Sequence, residues 1–189
     1  KDFEKDIELL SSQVERCNQI LKRLSINPVE EDDFIDKDLT MKELLSEIIS
    51  SFKEISQKKF IFNFDQYSNK KKITKSIEII YGLRNFIGNA NKFSSTTIFI
   101  NLKSNNEITE ITIEDDGDGY PRDILSKIGE PYLRSNNPNK KSKIGLGLGL
   151  FIGKTLLEKN FALINCRNSK TRSGAEVIIK WNNNDLFNI

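Results

Sequence analysis

The chain has 189 residues and 37% hydrophobic content, with 29 Lys or Arg against 27 Asp or Glu, so it suits one ordinary domain plus a smaller appendage. A formal net charge of +2 leaves no electrostatic footprint for direct nucleic-acid binding or for an anionic membrane surface. With no His at all, Ser-His-Asp and Cys-His hydrolytic arrangements are excluded.

At the N-terminal end, Phe3, Ile7, Leu10, Val14, Cys17, Leu21 and Leu24 repeat at alternating steps of four and three, uninterrupted by Gly or Pro. This heptad seam predicts one long coiled-coil-like helix over residues 1–27, too narrow in its apolar face to stand without helical partners. Residues 28–38 carry Pro28 and then Glu30, Glu31, Asp32, Asp33 and Asp36, the pattern of a solvated acidic linker and a domain boundary.

From residue 39 to 182 the pattern is that of an α+β domain. Helical spacing covers 41–52, and Phe60, Phe62 and Phe64 alternate as a strand. A long helix is predicted over 73–93, from apolar residues at 73, 77, 80, 83, 87 and 90. Strands follow at 96–103 and 110–115, then a polar, irregular stretch over 120–143 with a short turn near Ile124. A helix over 147–160 and strands at 162–166 and 177–181 close the domain, leaving 183–189 as a tail. This order predicts a two-layer α/β sandwich with helices on one face of a mixed sheet. So long an irregular stretch inside a domain reads as a lid, placed at about 120–144.

The longest uncharged apolar run, residues 144–153, is about half a bilayer span, and nothing reads as a secretory leader. A soluble, intracellular chain is expected. Cys17 and Cys166 stand too far apart to suggest a disulfide framework or a Zn site. Cys166, in a strand beside Ala162 and Ile164, reads as core, whereas Cys17 on the heptad seam is either a small buried hydrophobe or a redox switch facing its copy in a dimer.

Three segments carry chemistry. Asn85 and Asn89 lie four apart on the long helix with Lys92 three further on, a stripe that suits Mg²⁺ and phosphate as well as it suits plain solvent. Asp115-Asp116-Gly117-Asp118-Gly119 leaves a strand; its glycines permit a sharp turn under a planar ligand, and its carboxylate can accept from an exocyclic amine. Gly145-Leu146-Gly147-Leu148-Gly149-Leu150 opens a helix, where free backbone N–H groups favour an anion. Neither the P-loop nor the G-x-G-x-x-G pattern fits, because Leu148 and Ile152 stand where glycine is required.

Taken in this order, residues 83–93, Asp115-x-Gly117-x-Gly119 and residues 145–150 resemble the N, G1 and G2 boxes of the GHKL ATPases, and among them the catalytic domain of bacterial sensor histidine kinases. The resemblance implies a Bergerat-type ATP pocket over residues 39–181. Asn89 would hold Mg²⁺, Asn85 would line the phosphate side, and Asp115 would bond the adenine amino group. Gly117 and Gly119 would pass under the base. Lys92 and Phe93 would complete the wall, and Gly145, Gly147 and Gly149, with Leu146, Leu148 and Leu150 between them, would wrap the triphosphate. Ser173-Gly174-Ala175 sits where the family often has a further Gly/Thr contact. Gly129-Glu130-Pro131-Tyr132-Leu133-Arg134 takes the place of the Phe-rich lid box, with Tyr132 for its second aromatic; Arg134, Lys140, Lys141 and Lys143 would either reach phosphate when the lid closes or, for the lysines, stay a solvated lid surface.

That lid segment, with Val14-Glu15-Arg16-Cys17 and Ile20-Leu21, resembles the redox-responsive RegB/PrrB branch. The likeness implies a redox-active Cys17, a response-regulator receiver domain as partner, and a homodimeric full-length protein anchored in the inner membrane by an upstream segment. By it, residues 1–27 are the second helix of the dimerisation hairpin, and the phosphoacceptor His lies on a first helix absent from this chain. A fragment so cut should bind ATP, fail to autophosphorylate, and dimerise weakly or not at all. Three alternatives stay open: a GHKL ATPase of the gyrase, MutL or Hsp90 kind, an anti-sigma-type kinase, and a degenerate dimerisation or docking module. The first is disfavoured because Asn85 stands where those enzymes carry a catalytic Glu.

Overall fold

The computed structural model describes residues 39–69, 72–73, 76–132 and 148–187, all within the compact unit Asp38–Ile189. The heptad segment, the acidic linker and lid residues 133–147 lie outside the described residues.

Strand β1 (Leu39–Thr40) runs into helix α1 (Met41–Ile55) through a capping box. The Glu43 N–H donates to Thr40 Oγ1 at 3.2 Å, and the Thr40 N–H donates back to Glu43 Oε2 at 2.8 Å. Satisfying these orphan donors contributes about 1 kcal/mol. The helix buries Met41, Leu44, Leu45, Ile48 and Ile49, and Phe52 stacks on Phe60 of β2 (Lys59–Phe64) with ring centroids 6.4 Å apart.

Helix α2 spans Ile77–Phe93, four residues shorter than the apolar spacing predicts. Ile73 belongs instead to β3 (Lys72–Ile73), which pairs antiparallel with β1, Leu39 opposite Ile73. Ile73 is buried by that pairing, so its four-residue offset from Ile77 imitates a helical face across a strand–helix junction. The helix starts where Ser76, extended at φ −104°, accepts from the Ile79 N–H.

Strands β4 (Thr97–Ser104), β5 (Ile108–Asp115), β6 (Leu163–Asn168) and β7 (Ala175–Asn182) join β2 in a five-stranded sheet of order β2-β4-β5-β7-β6. Only β2 and β4 are parallel. Alternate residues Ile98, Ile100, Leu102, Ile111, Ile113, Val177, Ile179 and Trp181 share one core with the buried faces of α1 and α2 and with Leu157. The mixed sheet with helices packed on it is the fold class the element order predicts.

Between β5 and β6 lie the short helix α3 (Arg122–Leu125) and helix α4 (Gly149–Lys159). Two glycines let α2 and α4 approach closely. A Cβ on Gly82 would lie 2.5 Å from Leu157 Cγ, and one on Gly153 would lie 3.0 Å from Phe86 Cε2. Residues 183–187, read from the sequence as tail, form helix α5 (Asn183–Phe187) with Leu186 fully buried.

The loop joining α2 to β4 is fastened by Asp116, whose carboxylate accepts from the N–H groups of Ser95, Thr96 and Thr97 at 2.8–3.1 Å and from the Thr96 hydroxyl. Burial alone would raise its pKa, but these donors outweigh it and lower the carboxyl to about 2. The shift is downward, so the stabilisation is complete above the unfolded value of about 4 and is lost as pH falls toward 2. Solvent screening reduces it to about 1 kcal/mol. Asp116→Ala should therefore lower the Tm by roughly 3 °C at pH 7, and chemical denaturation of the two proteins should converge between pH 4 and pH 2. A constant gap across that range would contradict the assignment.

Candidate functional site

Asp115 ends β5, on the central strand, and is 3% exposed. Its Oδ1 accepts the Gly117 N–H at 2.9 Å and the Ala175 N–H at 3.2 Å. Oδ2 has no hydrogen bond to any described residue. Burial raises the carboxyl pKa; the two N–H groups pull it back, and neighbouring Asp116 adds to the rise. The result is a nearly enclosed carboxylate with one oxygen anchored and the other without a hydrogen bond among the described residues.

The loop that follows is held from three sides. Gly117 lies against the end of α2, where a Cβ would fall 2.2 Å from the Phe93 carbonyl oxygen. Asn168, at the end of β6, grips the next turn: its Oδ1 accepts the Tyr120 N–H at 2.6 Å and its Nδ2 donates to the Tyr120 carbonyl at 3.0 Å. Gly119, with φ +71°, passes beside it in the left-handed region that glycine tolerates. Asp116 is tied to residues 95–97 as above.

On α2, Asn85 and Asn89 are half-buried and one helical turn apart. The Asn85 Nδ2 donates to the Tyr81 carbonyl at 2.8 Å, which turns Oδ1 the other way. There it would meet a Cβ placed on Gly149 at 3.6 Å, so Asn85 stands against the first turn of α4. Among the described residues no side chain caps α4, and its first N–H groups face that end. Leu148 is buried and Leu150 packs on the core, fixing the helix start. The Lys92 ammonium lies 5.1 Å from the Phe93 ring centre, and both residues are exposed at the end of α2.

Tyr132 is 53% exposed, with φ +61°. Ser173 is exposed; its carbonyl oxygen lies by Gly119, while the contacts to Asp115 come from Gly174 and Ala175. Cys17, Arg134, Lys140, Lys141, Lys143, Gly145, Leu146 and Gly147 lie outside the described residues. Cys166 is half-buried, and burial pushes its thiol up to about 11, beside the buried Tyr120 hydroxyl. Such a thiol packs as a hydrophobe. Sequence reasoning overlooked Asn168 as a support of the Asp115 loop, since a single Asn at a strand end gives no signal. It singled out Ser173-Gly174-Ala175 as a further contact, and the structure sets Gly174 and Ala175 of that triplet against Asp115.

This fold has counterparts among known proteins. Residues 74–184 match the family described as histidine kinase-, DNA gyrase B-, and HSP90-like ATPase, and the chain belongs to that family. Its fold is that of the catalytic domains of histidine kinases. Sensor histidine kinase RegB of Cereibacter sphaeroides is 33% identical over 93% of this chain and 42% of its own length. The chain thus spans about two-fifths of that relative. The fold matches the catalytic domain of histidine kinase ThkA at a TM-score of 0.63, with 21% identity over 76% of this chain and 95% of that one. It also matches full-length ShkA in complex with AMPPNP at 0.63, with 18% identity over 77% of this chain and 30% of that one. Among the described residues no helix is long and apolar enough to cross a membrane.

Proposed function

We propose that this chain is the phosphoryl-donor part of a sensor histidine kinase of the RegB type, which binds ATP and passes its γ-phosphoryl to a His supplied from outside these 189 residues. The observation that carries the reading is Asp115: one oxygen is fixed by two backbone donors, and the other, in a nearly dry site, has no hydrogen bond among the described residues. That is what an adenine amino group needs and what guanine, with an oxygen there, would not satisfy. Gly117 and Gly119 would lie under the base, and Phe93 and Lys92 would stand beside it.

The phosphates would extend toward the α4 start, which Gly149 opens; contacts from Gly145, Gly147, Arg134 and the lid lysines, outside the described residues, belong to the same proposal. The donor set fits Mg²⁺. Asn85 and Asn89 offer amide oxygens, and among the described residues no three His, Cys, Asp or Glu side chains form a cluster that could hold a metal ion. A cation at Asn89 would be held mostly by phosphate and water, and it would offset phosphate charge. An amide at Asn85 cannot take a proton from water, which favours transfer over hydrolysis. What the chain supplies is position and electrostatics. Redox input at Cys17, delivery to a response-regulator receiver domain, homodimerisation of the full-length protein and its membrane anchoring through an upstream segment belong to the same proposal.

The test uses ATP labelled at the γ-phosphate with Mg²⁺ and a supplied His-bearing dimerisation helix. Acid-labile label should appear on the helix and none on this chain, and Asn89→Ala should slow transfer roughly 100-fold. Release of free phosphate without transfer would favour a GHKL ATPase. Failure of the folded protein to bind ATP would leave a docking module.

A further inference from the structure

Glu114 precedes Asp115 on β5, so its side chain emerges on the opposite face of the sheet. It is buried there, in a setting that costs free energy unless its charge is partnered. Its Oε1 accepts from the Ser169 hydroxyl at 2.8 Å, and its Oε2 lies 3.4 Å from Arg172 Nη1. The Arg172 guanidinium also sits 3.7 Å from the Phe99 ring centre. Ser169 in turn organises the β6–β7 turn: its hydroxyl oxygen accepts the N–H groups of Thr171 at 3.2 Å and Arg172 at 3.0 Å, and its own N–H donates to the Gly174 carbonyl at 2.9 Å. The cross-strand neighbour of Glu114 is Glu176, a like charge, and Arg167 pairs with it from within the same hairpin.

The far side of this turn touches the site. Gly174 approaches Asp115 so closely that a Cβ would fall 2.3 Å from Oδ1, and the next residue, Ala175, donates the N–H that Oδ1 accepts. The fastening on one face of the sheet and the carboxylate on the other are thus joined by six residues of turn.

We infer that Glu114 is a positioning residue for nucleotide binding: through Ser169 and Arg172 it holds the β6–β7 turn, and the turn holds Asp115 by the Ala175 N–H with Oδ2 facing the base. The inference rests on the reading of Asp115 as the adenine contact. Losing the fastening frees one donor to a charged acceptor, so it acts on the base end of the ligand and not on the phosphates.

Calorimetric titration of the whole chain with AMPPNP and with ADP tests this. Glu114→Ala should weaken both by the same factor, roughly tenfold, whereas Glu114→Gln, which keeps an acceptor for Ser169, should stay within about twofold of wild type. In the amide spectrum of ligand-free Glu114→Ala, the Ala175 N–H should move upfield and exchange faster, while the Gly117 N–H keeps its position. Should Glu114→Ala not fold, Ser169→Ala breaks the same link from the turn. Wild-type affinity in the Ala variant, an unmoved Ala175 resonance, or equal losses in the Ala and Gln variants would overturn the role. If Asp115→Asn also binds like wild type, the adenine contact itself is wrong; if Asp115→Asn loses binding while Glu114→Ala keeps it, only the positioning role falls.

Discussion

Gly174→Ala should lower the Tm by roughly 10 °C and abolish measurable nucleotide binding. A Cβ there would fall 1.9 Å from the Asp115 carbonyl oxygen, 2.4 Å from its carbonyl carbon and 2.3 Å from its Oδ1. Two of the three atoms are backbone of the central strand β5, which is paired on both sides with β4 and β7 and cannot yield. The turn must lift instead, which breaks the Ala175 N–H bond to Asp115 and strains the first ladder pairs of β7. Overpacking of this kind costs about 3 kcal/mol, which for a domain of this size corresponds to roughly 10 °C. Gly88→Ala is the contrasting case. It sits inside α2, where a Cβ would make an ordinary 3.4 Å contact with Phe52 Cζ, and helix propensity then favours alanine by about 1 kcal/mol. Thermal melts of the two variants should move in opposite directions; a Gly174→Ala protein with wild-type Tm and affinity would remove the close contact from the account.

The glycines show where sequence reading reached and where it stopped. Gly117 and Gly119 stand in a motif after a strand, so a sharp turn was legible there, but its cause was not. Gly117 is glycine because the Phe93 carbonyl crosses its face, a contact between residues 24 positions apart. Local spacing carries no trace of such approaches. The same limit explains the helix start, since Ile73 and Ile77 have helical spacing and only the pairing of Ile73 with Leu39 separates them. Burial on alternate residues of β4, β5 and β7 was legible because a two-residue period is a local property. Asn85, Asn89 and Asp115 were grouped from the sequence by residue type, and the structure shows Asp115 enclosed at the end of β5 and Asn85 against the first turn of α4. Glu114 was not legible, since an acidic residue in a strand reads as solvent-facing until the turn that covers it is known.

Asp115→Asn isolates the chemistry of the site from its architecture. Asn keeps an Oδ1 acceptor for the Gly117 and Ala175 N–H groups, so the loop geometry survives. It replaces the free Oδ2 by an NH₂ donor, which would face the donor of the adenine amino group. A buried donor–donor encounter of this kind rejects a ligand by about 3 kcal/mol, or roughly 100-fold and more in affinity. AMPPNP should therefore fall from measurable to undetectable binding, while a guanine analogue, which presents an acceptor at that position, should lose nothing or gain. Stability should move the other way. Burial raises the Asp115 pKa, so the ionised side chain costs the apo fold free energy above its unfolded pKa of about 4, a cost relieved as pH falls through the raised native value. The Asn variant carries no such cost, and its ligand-free Tm should equal or exceed that of wild type at pH 7, the difference shrinking as the pH is lowered. Loss of AMPPNP affinity with retained stability and undiminished binding of the guanine analogue is the combination that marks a base-reading carboxylate. A variant that binds AMPPNP as tightly as wild type would separate Asp115 from the nucleotide, and one that unfolds would make it a fastening of the β5–β7 pair instead.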